Sequence, residues 1–197
     1  MTGVQGQWIV PTLTESSSAN TYSAIWVGID GYSDNTVEQI GTEQDWSPSG
    51  QQNYVWFEMY PKAAYEIVGF PIEPGDVFSA SVVYVGNGRF QLSIVNESSN
   101  VSFTVPARYT KAANARRSSA EWIVEPPYAG GILPLADFGK VSFRNCSATL
   151  NGVTGAIGDS NWQNDPITME TQDGIVKAKV SALSAGDAAF TVTWKHE

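Results

Sequence analysis

In the stretch YSAIWVGID, residues 22–30, Ile25, Val27 and Ile29 alternate with Ala24, Trp26, Gly28 and Asp30. A period of two belongs to a strand with one face on a core, whereas a surface helix repeats every 3.6 residues. The same short alternation recurs at 6–12, 36–46, 53–61, 77–85, 89–97, 101–107, 120–125, 141–149, 166–171, 176–183 and 188–195. Gly, Pro, Asn, Asp and Ser separate these runs. GNG at 86–88 and QDG at 172–174 have the composition of hairpin turns. SSSAN (16–20), SPSGQQ (47–52) and PPYAGGILP (126–134) read as loops, and YTKAANARRSSA (109–120) as a loop with at most a short helix. Helical periodicity is otherwise nearly missing. The pattern predicts an all-β chain, one domain over 1–197, built as a sandwich of two stacked antiparallel sheets.

Composition narrows the function classes. Apolar residues reach 42 % and charged residues only 16 %, enough to fill a core and to exclude global disorder. Twenty acids against 11 bases give a net charge of −9, which repels a phosphate backbone and argues against nucleic acid as a partner. The low density of charge suits a protein adapted to acid. One cysteine, Cys146, allows no internal disulfide. With His196 the only histidine, His/Cys metal sites and Ser–His or Cys–His catalysis are excluded; no metal and no cofactor are expected. No apolar run of about 18 residues suggests a membrane span, and no signal peptide opens the chain. The sequons at Asn96, Asn100 and Asn145 read as chance matches.

Strand alternation also sorts the acids. In NYVWFEMYP (53–61), Val55, Phe57 and Met59 share one face, and Tyr54, Trp56, Glu58 and Tyr60 the other. In AEWIVE (120–125), Trp122 and Val124 oppose Glu121, Ile123 and Glu125. Together with Trp26 and Asp30, three strands thus carry Asp, Glu, Trp and Tyr on one face, with no Lys or Arg. Placed side by side, they line a groove with aromatic walls and a carboxylate floor. Three readings fit such a groove: a peptidase, a carbohydrate-binding or lectin-like module, or a sandwich-type glycoside hydrolase using Glu58 and Glu125.

The motifs WVGIDG (26–31), EQIG (38–41), WFEMYP (56–61), AEWIVE (120–125) and LADFGKVSF (135–143), in this order, resemble the glutamic peptidases, or eqolisins. The resemblance runs from about Trp8 to Trp194. It implies a concanavalin A/lectin-like sandwich with the groove on its concave sheet, and a pepstatin-insensitive acid endopeptidase. It further implies a catalytic dyad of Gln39 and Glu125, with Glu121 a neighbour, and groove positions at Trp26, Asp30, Glu58 and Tyr60. Trp56 and Glu121 join these as substrate-binding residues from their place on the same faces. A secreted, monomeric protein acting on polypeptides is implied. The lack of disulfides points to a prokaryotic-type member, and the resemblance implies a strand ahead of GQWIVP that the chain starts too late to supply in full.

The chemistry can be argued from the residues too. Peptide hydrolysis needs a base for water, a donor for the oxyanion and an acid for the leaving amine. An ionised Glu125 can serve as base and, once protonated, as acid. The amide of Gln39 can hold the water through its oxygen and stabilise the oxyanion through its N–H.

Overall fold

The computed structural model describes residues 1–15, 20–108 and 115–197. These form strands β1 (Gly3–Ile9), β2 (Thr21–Asp30), β3 (Val37–Ser47), β4 (Gly50–Tyr60), β5 (Tyr65–Glu66), β6 (Val77–Gly86) and β7 (Arg89–Asn96). They continue with β8 (Val101–Arg108), β9 (Ala120–Glu125), β10 (Lys140–Leu150), β11 (Val153–Ala156), β12 (Met169–Glu170), β13 (Val176–Val180) and β14 (Phe190–Trp194). No helix occurs among the described residues. The strands make two antiparallel sheets. A nine-stranded sheet runs β12-β13-β14-β10-β1-β6-β7-β8, with β11 paired to β10, and a five-stranded sheet runs β5-β4-β3-β2-β9. The predicted all-β sandwich is therefore the observed one.

Strand positions follow the alternation closely where a run is long. They depart from it where a run is short or polar. The expected strand at 166–171 contracts to the two residues of β12, while β5 and β11 were not expected, being too short to show a period. The SPSGQQ segment is not a six-residue loop. The β3–β4 ladder extends to Ser47 opposite Gly50, and only Pro48 and Ser49 turn the chain. Gly50 takes φ +104° there, a conformation that favours glycine. Between β6 and β7, Gly86, Asn87 and Gly88 all have positive φ, as the GNG turn predicts. Of the 109–120 segment, residues 109–114 lie outside the described residues, as do 16–19 of SSSAN; 115–119 have no regular structure. Asn96, one of the sequon residues, is buried and its Nδ2 donates to Pro71 O and Asp76 Oδ2, so its amide is engaged inside the fold.

The sheets face each other through Ile25, Val27 and Ile29 of β2, Ile40 of β3, and Trp122 and Val124 of β9. They meet Trp8, Phe78, Val82, Leu92, Ile94 and Phe143 of the larger sheet in one apolar core. Burial of these side chains stabilises the sandwich by about 1.5–3 kcal/mol each. Two indole N–H groups cross the interior. Trp8 Nε1 donates to Thr42 Oγ1 at 3.0 Å, and Trp122 Nε1 donates to the carbonyl of Gln5 at 2.7 Å. Both fix which residues of the small sheet point inwards, and hence which point out.

Close approach of β2 to β3 requires Gly41. A Cβ there would lie 2.6 Å from Cβ of Trp26 and collide with the carbonyl oxygen of Ile25. Gly41→Ala is expected to destabilise the protein by about 1–3 kcal/mol, measured as a lowered urea midpoint with unchanged m-value; an unchanged midpoint contradicts this packing.

Candidate active site

The outer face of the five-stranded sheet brings the acids together. Its register sets three rows of side chains across four strands. Glu121, Gly28, Gln39 and Glu58 form one row, Ile123, Trp26, Gly41 and Trp56 the next, and Glu125, Ala24, Glu43 and Tyr54 the third. Every row contains one residue of minimal size, Gly28, Gly41 or Ala24. Large side chains can therefore fold over their neighbours. The indole of Trp26 does so, since a methyl on Gly28 would lie 2.8 Å from its Cζ3 and 3.2 Å from Cβ of Gln39. The other edge of this indole meets the third row, where Trp26 Nε1 donates to Glu125 Oε1 at 3.0 Å. One ring thus spans the interval between Glu125 and Gln39.

Each member of this pair has a fixed end. Gln39, only 7 % exposed, donates from Nε2 to Glu58 Oε2 at 2.5 Å. That contact orients the amide, because a carboxylate accepts only from N–H. It leaves Gln39 Oε1 buried with no partner among the described residues. An orphaned acceptor in such a place is costly unless something from solvent or substrate fills it. Glu125 spends Oε1 on Trp26, and Oε2 has no hydrogen bond from the described residues. Burial pushes the Glu125 carboxyl above its ordinary range, the Trp26 N–H opposes this, and repulsion from Glu58 adds to it. Burial likewise raises Glu58, against the Gln39 hydrogen bond. Glu121 is raised to about 7, first by burial; Ser119 Oγ donates to it at 2.9 Å and opposes the shift, while Glu125 and Asp30 repel it.

Of the other expected site residues, Trp56 stays with the site, Tyr60 lies at its edge and Asp30 leaves it. Trp56 is buried between Trp26, Ala24 and Tyr54, and its Nε1 has no partner among the described residues. Tyr60 ends β4 opposite Val37, nearly half exposed, beside the cis peptide to Pro61. Asp30 points elsewhere. Its carboxylate accepts from the backbone N–H of Arg117 at 2.7 Å and of Ser118 at 2.6 Å, and from Ser118 Oγ at 3.1 Å. These bonds hold Asp30 at φ +67°, where non-glycine residues are uncommon, and tie the approach to β9 against the end of β2. Asp30 is a clamp at the Glu121 end of β9.

Two groove acids were not among the candidates. Glu43, 4 % exposed, and Asp45 follow Gln39 and Gly41 on the same face of β3. Counting by twos from Gln39 would have found them. Burial first, and then Asp45, push Glu43 up to about 9; burial raises Asp45 to about 6, against a hydrogen bond with Glu43.

The Peptidase A4 family model matches residues 1–194. The chain is 30 % identical to aspergillopepsin-2 of Aspergillus niger over an alignment that covers 98 % of this chain and 73 % of that protein. The crystal structure of aspergilloglutamic peptidase from Aspergillus niger superimposes with a TM-score of 0.78 at 28 % identity, covering 89 % of this chain and 99 % of that one. Scytalido-glutamic peptidase, crystallised with a transition state analog inhibitor, shares the fold with a TM-score of 0.80 at 21 % identity over 98 % of this chain and 92 % of that one. The protein belongs to the Peptidase A4 family and is a hydrolase of the glutamic endopeptidase type.

The groove predicts an unusual dependence of stability on pH. Asp30, Glu43, Asp45, Glu58, Glu121 and Glu125 all bind their protons more tightly when folded. A raised carboxyl contributes stability that is complete below its unfolded pKa, about 4. That contribution is lost as pH rises towards the folded value, about 6 for Asp45 and about 7 for Glu121. Asp34, which is lowered, works in the opposite sense. The Tm is expected to be highest near pH 4 and to fall by several degrees towards pH 7. Calorimetry showing a Tm that rises over this interval would contradict the burial described.

Proposed function

We propose that the chain is a secreted acid endopeptidase, one domain over 1–197, in which Glu125 and Gln39 hydrolyse the peptide bond through a bound water. The reading is carried by one observation. Glu125 and Gln39 lie on either side of the Trp26 indole, Glu125 held at Oε1 and Gln39 at Nε2, and Gln39 Oε1 is buried with no partner among the described residues. A water donating to Glu125 Oε2 and to Gln39 Oε1 satisfies both. Glu125 takes a proton from this water as its oxygen attacks the carbonyl carbon of the scissile bond. The remaining amide hydrogen of Gln39 faces the developing oxyanion. Glu125 then passes the proton to the leaving nitrogen, and the C–N bond breaks to give a free acid and an amine. Glu58 keeps the amide from turning over, and Trp26 keeps the carboxyl in place.

An extended polypeptide suits this outer face, with Trp26, Trp56 and Tyr60 as contacts and Glu121 at the far end of the Gln39 row. Scytalido-glutamic peptidase crystallised with a peptide based transition state analog, and SCP-B, an eqolisin crystallised with the tripeptide Ala-Ile-His, support a peptide ligand. For a glycoside hydrolase, Glu58 would have to act on a sugar, whereas its Oε2 is taken by Gln39. No helix of the described residues is long and apolar enough to cross a membrane.

Cleavage of denatured protein with pepstatin present, followed between pH 2 and 8, should peak in acid; a maximum above about pH 6 contradicts this reading. Glu125→Gln should remove turnover with folding intact. Gln39→Ala should cost about 2.7–4 kcal/mol of transition-state stabilisation in kcat, and Glu121→Gln much less. A Glu125→Gln variant with normal turnover, beside a dead Glu121→Gln, would place the base at the wrong end of β9.

A further inference from the structure

The dyad makes no use of Glu43 or Asp45. They stand two residues apart on one face of β3, in line with Gln39, and the third row sets Ala24 alone between Glu43 and Glu125. A single methyl is all that β2 interposes between the two carboxyls. Glu43 Oε1 and Asp45 Oδ1 are buried with no N–H or O–H donor among the described residues. Two carboxyls that meet can hydrogen-bond only through a proton, and here each shifts the other, Glu43 upwards and Asp45 downwards. The groups facing them are Tyr22 from β2, Glu125 from β9, Gln52 and Tyr54 from β4 and Glu66 from β5. None of these is a cation. Among the described residues, only protons can neutralise this end of the groove.

We infer that the Glu43–Asp45 pair tunes the general base, and that turnover requires the pair to keep its protons, so that it sets the alkaline limit of the peptidase reaction. The inference rests on Glu125 as the base. When Glu125 attacks through water, one negative charge passes to the carbonyl oxygen of the substrate. A further carboxylate at this end of the groove, on either member of the pair, repels that oxyanion and disfavours the transition state. Asp45 accepts the proton of Glu43, so the first charge to appear lies on the member farther from Glu125 and Glu43 stays neutral. Neither residue touches the scissile bond; both act through Glu125 and the field around it.

The test is the pH dependence of kcat/KM on an unstructured peptide for the wild type and for Asp45→Asn, Asp45→Glu and Glu43→Gln/Asp45→Asn. The alkaline limb should move up by about one pH unit or more in Asp45→Asn. It should move further in the double variant and return in Asp45→Glu, with the acid limb fixed throughout. Assays run well below the Tm of each variant at every pH, with folding checked by circular dichroism, keep unfolding out of the limb. An alkaline limb that stays put in both asparagine variants overturns the inference, as does one that moves with Glu121→Gln instead. Normal turnover by Glu125→Gln would fail the dyad itself, and would do so wherever the limb lies.

Discussion

Two indole N–H groups crossing an apolar interior hold the small sheet in one orientation. Trp8 reaches Thr42 on β3, and Trp122 reaches the backbone of Gln5 from β9. A strand slipped by one residue would send its whole core face into solvent, and a buried indole would lose its acceptor as well. Because β3 carries Gln39 and β9 carries Glu125, the same two contacts decide that both functional side chains face outwards. Gly6 is part of this arrangement, since a Cβ there would lie 2.7 Å from Cδ1 of Trp122.

The chemistry of the outer face comes from concentrating one kind of charge. Burial raises Glu43, Asp45, Glu58, Glu121 and Glu125 together, and each ionised neighbour makes the next ionisation harder. A lysine or arginine placed among them would relieve this and would also hold the base ionised without any role for pH. What the face has instead are neutral donors, the Trp26 indole and the Gln39 amide. They select which carboxyl oxygen is held and leave the amount of charge to the solution.

Much of this was legible in the sequence because alternation reports faces directly. Ile25, Val27 and Ile29 lie inside, and Trp26, Glu58, Glu121 and Glu125 lie outside, as their parity requires. Parity does not report what a side chain finds when it gets there. Asp30 has the parity of a groove acid, yet its oxygens go to the backbone of 117–118, a partner 87 residues away that no local pattern announces. Glu43 and Asp45 share the parity of Gln39, but their weight depends on the register that sets Ala24 beside them. Short strands such as β5 and β11 exist because a neighbour offers free backbone groups, and their own residues carry no signal.

The small residues of the three rows, Gly28, Gly41 and Ala24, also bear on what the groove can admit. They lie on the two central strands, and Trp26 takes up the space they leave: a Cβ on Gly28 would lie 2.8 Å from its Cζ3, and one on Gly41 2.6 Å from its Cβ. The same ring holds Glu125, so one carbon added at 28 or 41 is felt at the base before any substrate arrives. Room for a different bound residue has to be found at the flanks, where a side chain can change without moving the indole.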